Sequence, residues 1–279
     1  LDEADGHCRW ATYIASGPSM GAAFAEDSPL PLETIAPQFS LAAGRLIVST
    51  NLGVIAALDI ADGSVAWMTL YERPATQAST AWQFRRRINL SSLSKGWIGS
   101  PPIITGDQAY VLPADGVSIL TLNTETGAVS KTLPRKVVDG ADILLAVDGG
   151  KMILASDRSA WCIDANALNV TGANLADATL WNMRFGNAAL RGLPFLTTDA
   201  LYIPTDQRIF VVNRTKWKVT EVYPQYAQPW PKTEGPGNVV VSADHVVVAA
   251  AGRINVYASL ASASAKLDQA IAAHPASPE

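Results

Sequence analysis

Two cysteines, three histidines and a scatter of turn-placed aspartates are the residues of this 279-residue chain whose types could make a reactive site. Cys8 and Cys162 lie too far apart in sequence to build a CxxC metal pair or a CxxCH haem-attachment motif. Two separate buried thiols fit them better than one long-range disulfide. His7, His245 and His274 are expected at a terminus, a hairpin turn and a helix end, and no pair of them has metal-ligand spacing. Asp157, Asp164 and Asp206 fall at or near expected turns, where aspartates cap or face water. Ser19, in Gly17-Pro-Ser-Met-Gly21, lacks the strand-to-helix setting of a nucleophile elbow. Neither GxxxxGK[ST] nor GxGxxG occurs, so no phosphate-cradling loop is expected. The triplets at Asn89, Asn169 and Asn213 match the glycosylation sequon at a frequency expected by chance.

The elements that would hold these residues belong to a compact globular chain. It is 48% hydrophobic and 16% charged, against about 25% charged for ordinary soluble domains. A net charge of −4 supplies no field to attract a polyanion, so no nucleic-acid partner is expected. The longest apolar run, Val246 to Ala251, is too short to cross a bilayer, and no membrane insertion is expected. The chain begins at Leu1 with no basic segment leading into an apolar one. Any targeting signal is therefore expected to have been removed or to lie outside this sequence.

Self-similarity organises the rest. Gly44-Arg-Leu-Ile-Val-Ser-Thr50 leads through Val54 to Leu58 into Asp59-Ile-Ala-Asp-Gly63 and then Ser64-Val-Ala-Trp67, which predicts strand, turn, strand, tight turn, strand. The order returns in Gly106 to Pro113, Val117 to Leu122, Asn123-Thr-Glu-Thr-Gly127 and Ala128 to Thr132. Looser copies follow at Gly150 to Asp164, at Thr198 to Asn213 with Lys216 to Val219, and at Ala243 to Ala258. Anchored on the polar residue that opens the tight turn, four copies fall at Asp59, Asn123, Asp164 and Asn213, at intervals of 64, 41 and 49 residues. The long interval is assigned to a loop insertion at about residues 74–96. Spacing of this size with about four strands per unit predicts an all-β fold, a β-propeller, over residues 1–258. Val239-Val-Val241 and Val246-Val-Val248 are expected to be fully buried inner strands. Residues 259–279 change to Ala, Leu, Lys, Asp and Gln with Leu260, Leu267 and Ile271 at helical spacing, which predicts a C-terminal α-helix and tail.

The run Gly44 to Asp59 with Asp62-Gly63 and Trp67, and the second run Thr121-Leu-Asn-Thr-Glu-Thr-Gly127, resemble the repeat of quinoprotein (PQQ)-like β-propellers. The resemblance covers about residues 36–259, with five recognisable blades and room for six to eight in all. It also sets Trp10, in Asp5 to Ser16, in the tryptophan place of a preceding blade. The C-terminal helix resembles the endings of planctomycete-type proteins with such repeats, which implies a fragment of a longer chain. In this family the repeat serves quinoprotein dehydrogenases, an outer-membrane assembly lipoprotein and non-catalytic scaffolds, so it identifies a fold and not a chemistry. A dehydrogenase of the family needs a vicinal Cys-Cys pair and an acidic metal constellation, and neither is found in this sequence.

The expectation is therefore a non-catalytic scaffold that binds protein partners, with no catalytic, cofactor-binding or metal-binding residues and no cofactor. It is placed in the periplasm or at the cell surface by the resemblance. Two alternatives stay open: an oxidoreductase subunit with a degenerate quinone site, and a sensor of small ligands or glycans. The residues expected to bind a partner are Trp82, Phe84, Arg85, Arg86, Arg87 and Trp97 in the insertion, and Tyr226 and Trp230 in a proline-rich segment. Aromatics and arginines are the side-chain types that dominate interface hot spots.

Overall fold

The computed structural model describes residues 5–16, 37–73, 100–138, 141–169, 174–223, 237–242, 245–250, 252–258 and 260–273. The chain divides into two compact units, Leu1–Arg184 and Phe185–Glu279. The first unit holds three four-stranded antiparallel sheets, each of them a propeller blade with its strands in consecutive order. They are β1 (Gln38–Ala42) to β4 (Val65–Leu70) with β2 at Arg45–Ser49 and β3 at Val54–Asp59; β5 (Ile103–Thr105), β6 (Gln108–Val111), β7 (Ser118–Asn123) and β8 (Val129–Pro134); and β9 (Ile143–Asp148), β10 (Lys151–Ala155), β11 (Ser159–Asp164) and β12 (Thr179–Arg184). A one-turn helix, α1 (Leu175–Ala178), precedes β12 and is capped by Asn174.

The second unit holds a fourth blade of β13 (Phe195–Leu196), β14 (Ala200–Pro204), β15 (Ile209–Asn213) and β16 (Lys218–Tyr223). Its other sheet has three strands among the described residues, β17 (Asn238–Val241), β18 (His245–Ala250) and β19 (Arg253–Ala258), and is followed by α2 (Leu260–Ala273). The expected β-propeller repeat and the C-terminal helix are both present.

The connection from the third to the fourth strand opens the same way in four blades, and it is a tight turn in all but the third, where a 3₁₀ segment and α1 follow the opening. Asp59, Asn123, Asp164 and Asn213 each turn a side-chain oxygen back onto an amide two residues ahead, at Ala61, Glu125, Asn166 and Thr215. This Asx closure is why a short polar residue opens every turn. Just before each anchor the ladder carries a bulge, between Ala57 and Leu58, Thr121 and Leu122, Cys162 and Ile163, and Val211 and Val212. The bulge fixes which residue of the fourth strand stands opposite the anchor-minus-two position. That residue is Trp67, Lys131, Trp181 and Glu221 in turn.

Cores form between neighbouring sheets. In the first unit Ile47, Ile55 and Trp67 pack with Val111, Leu120 and Leu122, while Leu112, Ile119 and Leu133 pack with Leu144, Met152, Leu154 and Trp161. In the second unit Ile209 and Val211 pack with Val239 and Val248. The expectation of fully buried valine strands is corrected here. Val239 and Val248 are buried but Val240 is 52% exposed, because the period-two pleat sends alternate residues to opposite faces.

The fourth strand of one blade docks on the turn of the next. Trp67 Nε1 donates to Thr124 O at 3.0 Å and Thr69 Oγ1 to Gly127 O at 2.6 Å. Trp10 and Thr12 repeat this ahead of the first blade, donating to Ile60 O at 2.9 Å and Gly63 O at 2.5 Å. Trp10 therefore occupies the tryptophan place, although residues 5–16 form no strand. The turn glycines are required by this docking. Gly63 and Gly127 have φ of 73° and 71°, and a Cβ on either would collide with the indole above it. In the fourth blade the sequence loses that glycine, yet the turn persists with Trp217 at φ 49° and its N–H on Asn213 O at 2.8 Å. The expected insertion at 74–96 lies outside the described residues.

Candidate functional site

A buried cluster of ionisable side chains among the described residues of the first unit grows from the chain leaving β4. Tyr71 N–H bonds Gly53 O at 3.0 Å and Glu72 O accepts from Val117 N at 3.3 Å. These bonds lay the segment across two loops, the one between β2 and β3 and the one between β6 and β7. Tyr71 and Arg73 thereby reach Asp115 in the second loop. Tyr71 Oη donates to Asp115 Oδ1 at 2.5 Å, and Arg73 Nε lies 2.6 Å from Asp115 Oδ2. The Asp115 side chain is 1% exposed and that of Arg73 27%.

Neighbouring backbone and side chains lock the same loop. Asn51 Oδ1 accepts from Ala114 N at 3.1 Å. Arg135, in the short 3₁₀ turn after β8, donates through Nη1 to Ala114 O at 3.1 Å and to Gly116 O at 3.2 Å. Its Nε reaches Ala141 O at 2.7 Å and its Nη2 reaches Asp142 Oδ1 at 3.3 Å. A polar seam thus runs through all three blades of the unit.

Electrostatics fix the protonation of the seam. Burial, reinforced by the bond to Asp115, pushes the Tyr71 phenol far above its ordinary range. The phenol stays a donor. Burial raises the Asp142 carboxyl and lowers the Arg135 guanidinium, and the attraction between the two opposes both shifts. Both oxygens of Asp115 are engaged, one by a phenol and one by a guanidinium. The arrangement therefore acts as a clamp between blades and not as a base poised over a cleft.

The partner-binding residues expected from sequence, Trp82, Phe84, Arg85, Arg86, Arg87, Trp97, Tyr226 and Trp230, all lie outside the described residues, as do Ser19 and His274. His7 is exposed beside Asp5 at 2.7 Å, and His245 opens β18. The aspartates weighed as metal ligands sit in turns: Asp164 Oδ1 accepts from Asn166 N at 2.8 Å, Asp206 Oδ1 accepts from Ala189 N at 2.9 Å, and Asp157 pairs with Arg158 at 3.3 Å. Among the described residues no group of three or more His, Cys, Asp or Glu is placed to hold a metal ion. The two cysteines are not joined in a disulfide, and one expectation about them is corrected: Cys162 is buried but Cys8 is exposed.

Sequence reasoning missed the seam. Its signal was a second polar recurrence, Asn51, Asp115, Asp157 and Asp206, each seven or eight residues ahead of a turn anchor.

The family model described as outer membrane protein assembly factor BamB matches residues 1–262. Among solved structures the chain is similar to BamB from Moraxella catarrhalis, at 15% identity and a TM-score of 0.48 over 80% of this chain and 57% of that one. It is similar also to the computationally designed Ika8 protein, at 12% identity and a TM-score of 0.48 over 79% of this chain and 57% of that one. The chain spans less than two thirds of the length of either. No curated protein matches it.

Proposed function

The chain belongs to the family of the outer membrane protein assembly factor BamB, and from that membership we propose that it is a non-catalytic propeller platform that binds protein partners in outer-membrane protein assembly. The setting proposed for it is extracytoplasmic, in the periplasm or at the cell surface. One observation supports the reading: among the described residues of the first unit, the buried ionisable cluster around Asp115 is engaged in joining one blade to the next. Tyr71, Arg73 and Arg135 fasten the Asp115 loop, while Trp67 and Thr69 fasten the Asn123 turn. Such bonding makes a rigid frame on which loops can present aromatic and arginine anchors.

The proposed contact residues are Trp82, Phe84, Arg85, Arg86, Arg87, Trp97, Tyr226 and Trp230, which suit an acidic, partly apolar protein surface. The test is capture of outer-membrane protein assembly components from solubilised envelopes, with the native chain and with Arg85→Glu, Arg86→Glu and Arg87→Glu combined. Capture by the native chain, weakened in the variant at unchanged Tm, is the expected result. Equal capture by both removes the arginines from the contact, and no capture by the native chain removes the platform reading.

A further inference from the structure

The three inter-blade docking positions of the first unit are not filled alike. Trp10 and Trp67 lay an indole over the next turn, and each N–H takes the carbonyl one residue past the anchor, at Ile60 or Thr124. At the third position the residue is Lys131, opposite Thr121 as Trp67 is opposite Ala57. Its Nζ donates to Ala165 O at 2.8 Å, the carbonyl one past the anchor Asp164. The lysine thus reproduces the hydrogen bond of the tryptophan but not its ring.

The space beside the lysine is open. A cavity of about 150 Å³ lies there, lined by Lys131 and its acceptor Ala165 and by Tyr110, Thr121, Met152 and Asn166. An engineered cavity of roughly that volume is enough to hold a benzene ring. Here the lining is mixed. Met152 and Tyr110 offer the soft contacts that aromatic rings favour. Thr121 and Asn166 bring polar groups, and the half-buried Lys131 ammonium, which spends one of three donors on Ala165, offers a cation for a π face. Asp164 offsets the lysine charge, so the site suits a neutral ring better than an anion.

We propose that this cavity is a binding site for a small neutral heteroaromatic molecule of the indole class, which takes the place that a tryptophan side chain holds at the two equivalent junctions. The chain therefore carries a ligand site between β8 and the third blade, independent of any protein partner.

Indole itself is the probe, titrated into the purified chain and followed by amide NMR and by Tm. Saturable shifts centred on Lys131, Ala165 and Asn166 with a rise in Tm are expected. Lys131→Trp fills the space covalently, so it should lower indole affinity at least about tenfold and raise the Tm of the ligand-free chain. Lys131→Met keeps the bulk and removes the charge, so affinity should fall about two- to fivefold with the same residues shifted. Shifts centred elsewhere, no saturation up to the solubility of indole, or undiminished affinity in folded Lys131→Trp would each overturn the proposal. Should Lys131→Trp fail to fold, the native map and Lys131→Met decide it.

Discussion

Trp67 lies over Gly127 so closely that a Cβ at residue 127 would stand 2.5 Å from the indole Cε3. The glycine meets two demands at once, a φ of 71° and room for a neighbour's ring. Gly106 has a φ of 61° and nothing within 4 Å of its Cβ position, so it meets only the first. Gly106→Ala should cost about 1–2 kcal/mol, the usual penalty of the left-handed conformation. Gly127→Ala should cost clearly more, because the indole must also leave its place. Urea midpoints of the two variants check this, and equal losses would mean that the ring does not depend on the missing Cβ.

The repeat was legible in sequence because its anchors are chemical: an Asp or Asn that closes its own turn at Asp59, Asn123, Asp164 and Asn213. Trp217 shows where that legibility ended. The fourth turn lost its glycine in the sequence but not its conformation, since the φ 49° at Trp217 is imposed by the surrounding hairpin and the bond to Asn213. Lys131 was equally opaque. Its identity breaks the tryptophan pattern, and only the pairing with Thr121 shows that it stands in the same place. The Asp115 seam joins residues 44 and 42 positions apart, and a contact of that range leaves no local period to read.

Within the seam, loss of Arg73 and loss of Asp115 should not be equivalent. Asp115 is 1% exposed and Arg73 27%, so Arg73→Met leaves a buried carboxylate with the Tyr71 bond and without its nearest cation. Breaking a buried pair in this way costs about 3–5 kcal/mol. Asp115→Asn leaves an arginine that can reach water, and should cost less. The double variant should be more stable than Arg73→Met alone, a coupling that a double-mutant cycle of chemical denaturations reads directly. Additive losses would show that the two charges do not depend on each other.

Quinone and calcium should not be retained together. The carboxylates of Asp164 and Asp206 already accept backbone N–H bonds, and that of Asp157 is paired with Arg158. A cation would have to compete with those contacts at three separate loops. Incubation with pyrroloquinoline quinone and calcium, followed by gel filtration, absorbance and metal analysis, is expected to return the chain free of both. Stoichiometric retention of the pair would revive the oxidoreductase reading.

Alkaline pH should destabilise the fold through Tyr71. Its phenol is held protonated in the native state by burial and by Asp115, above the ordinary value of 10.0 that the unfolded chain retains. Below pH 10 both states carry the proton and the contribution is constant. Above it the unfolded state releases the proton while the native state keeps it, so stability falls as pH rises, by at most about 1.4 kcal/mol per pH unit for this one group. Tyr223, pushed up to about 12 chiefly by its hydrogen bond to Glu221, adds a weaker effect of the same sign. Other groups also titrate in this range, so the comparison that isolates Tyr71 is with Tyr71→Phe. Denaturation midpoints between pH 8 and pH 11 should fall more steeply in the native chain than in Tyr71→Phe. Parallel curves would mean that the phenol of Tyr71 reaches water and ionises in the folded state.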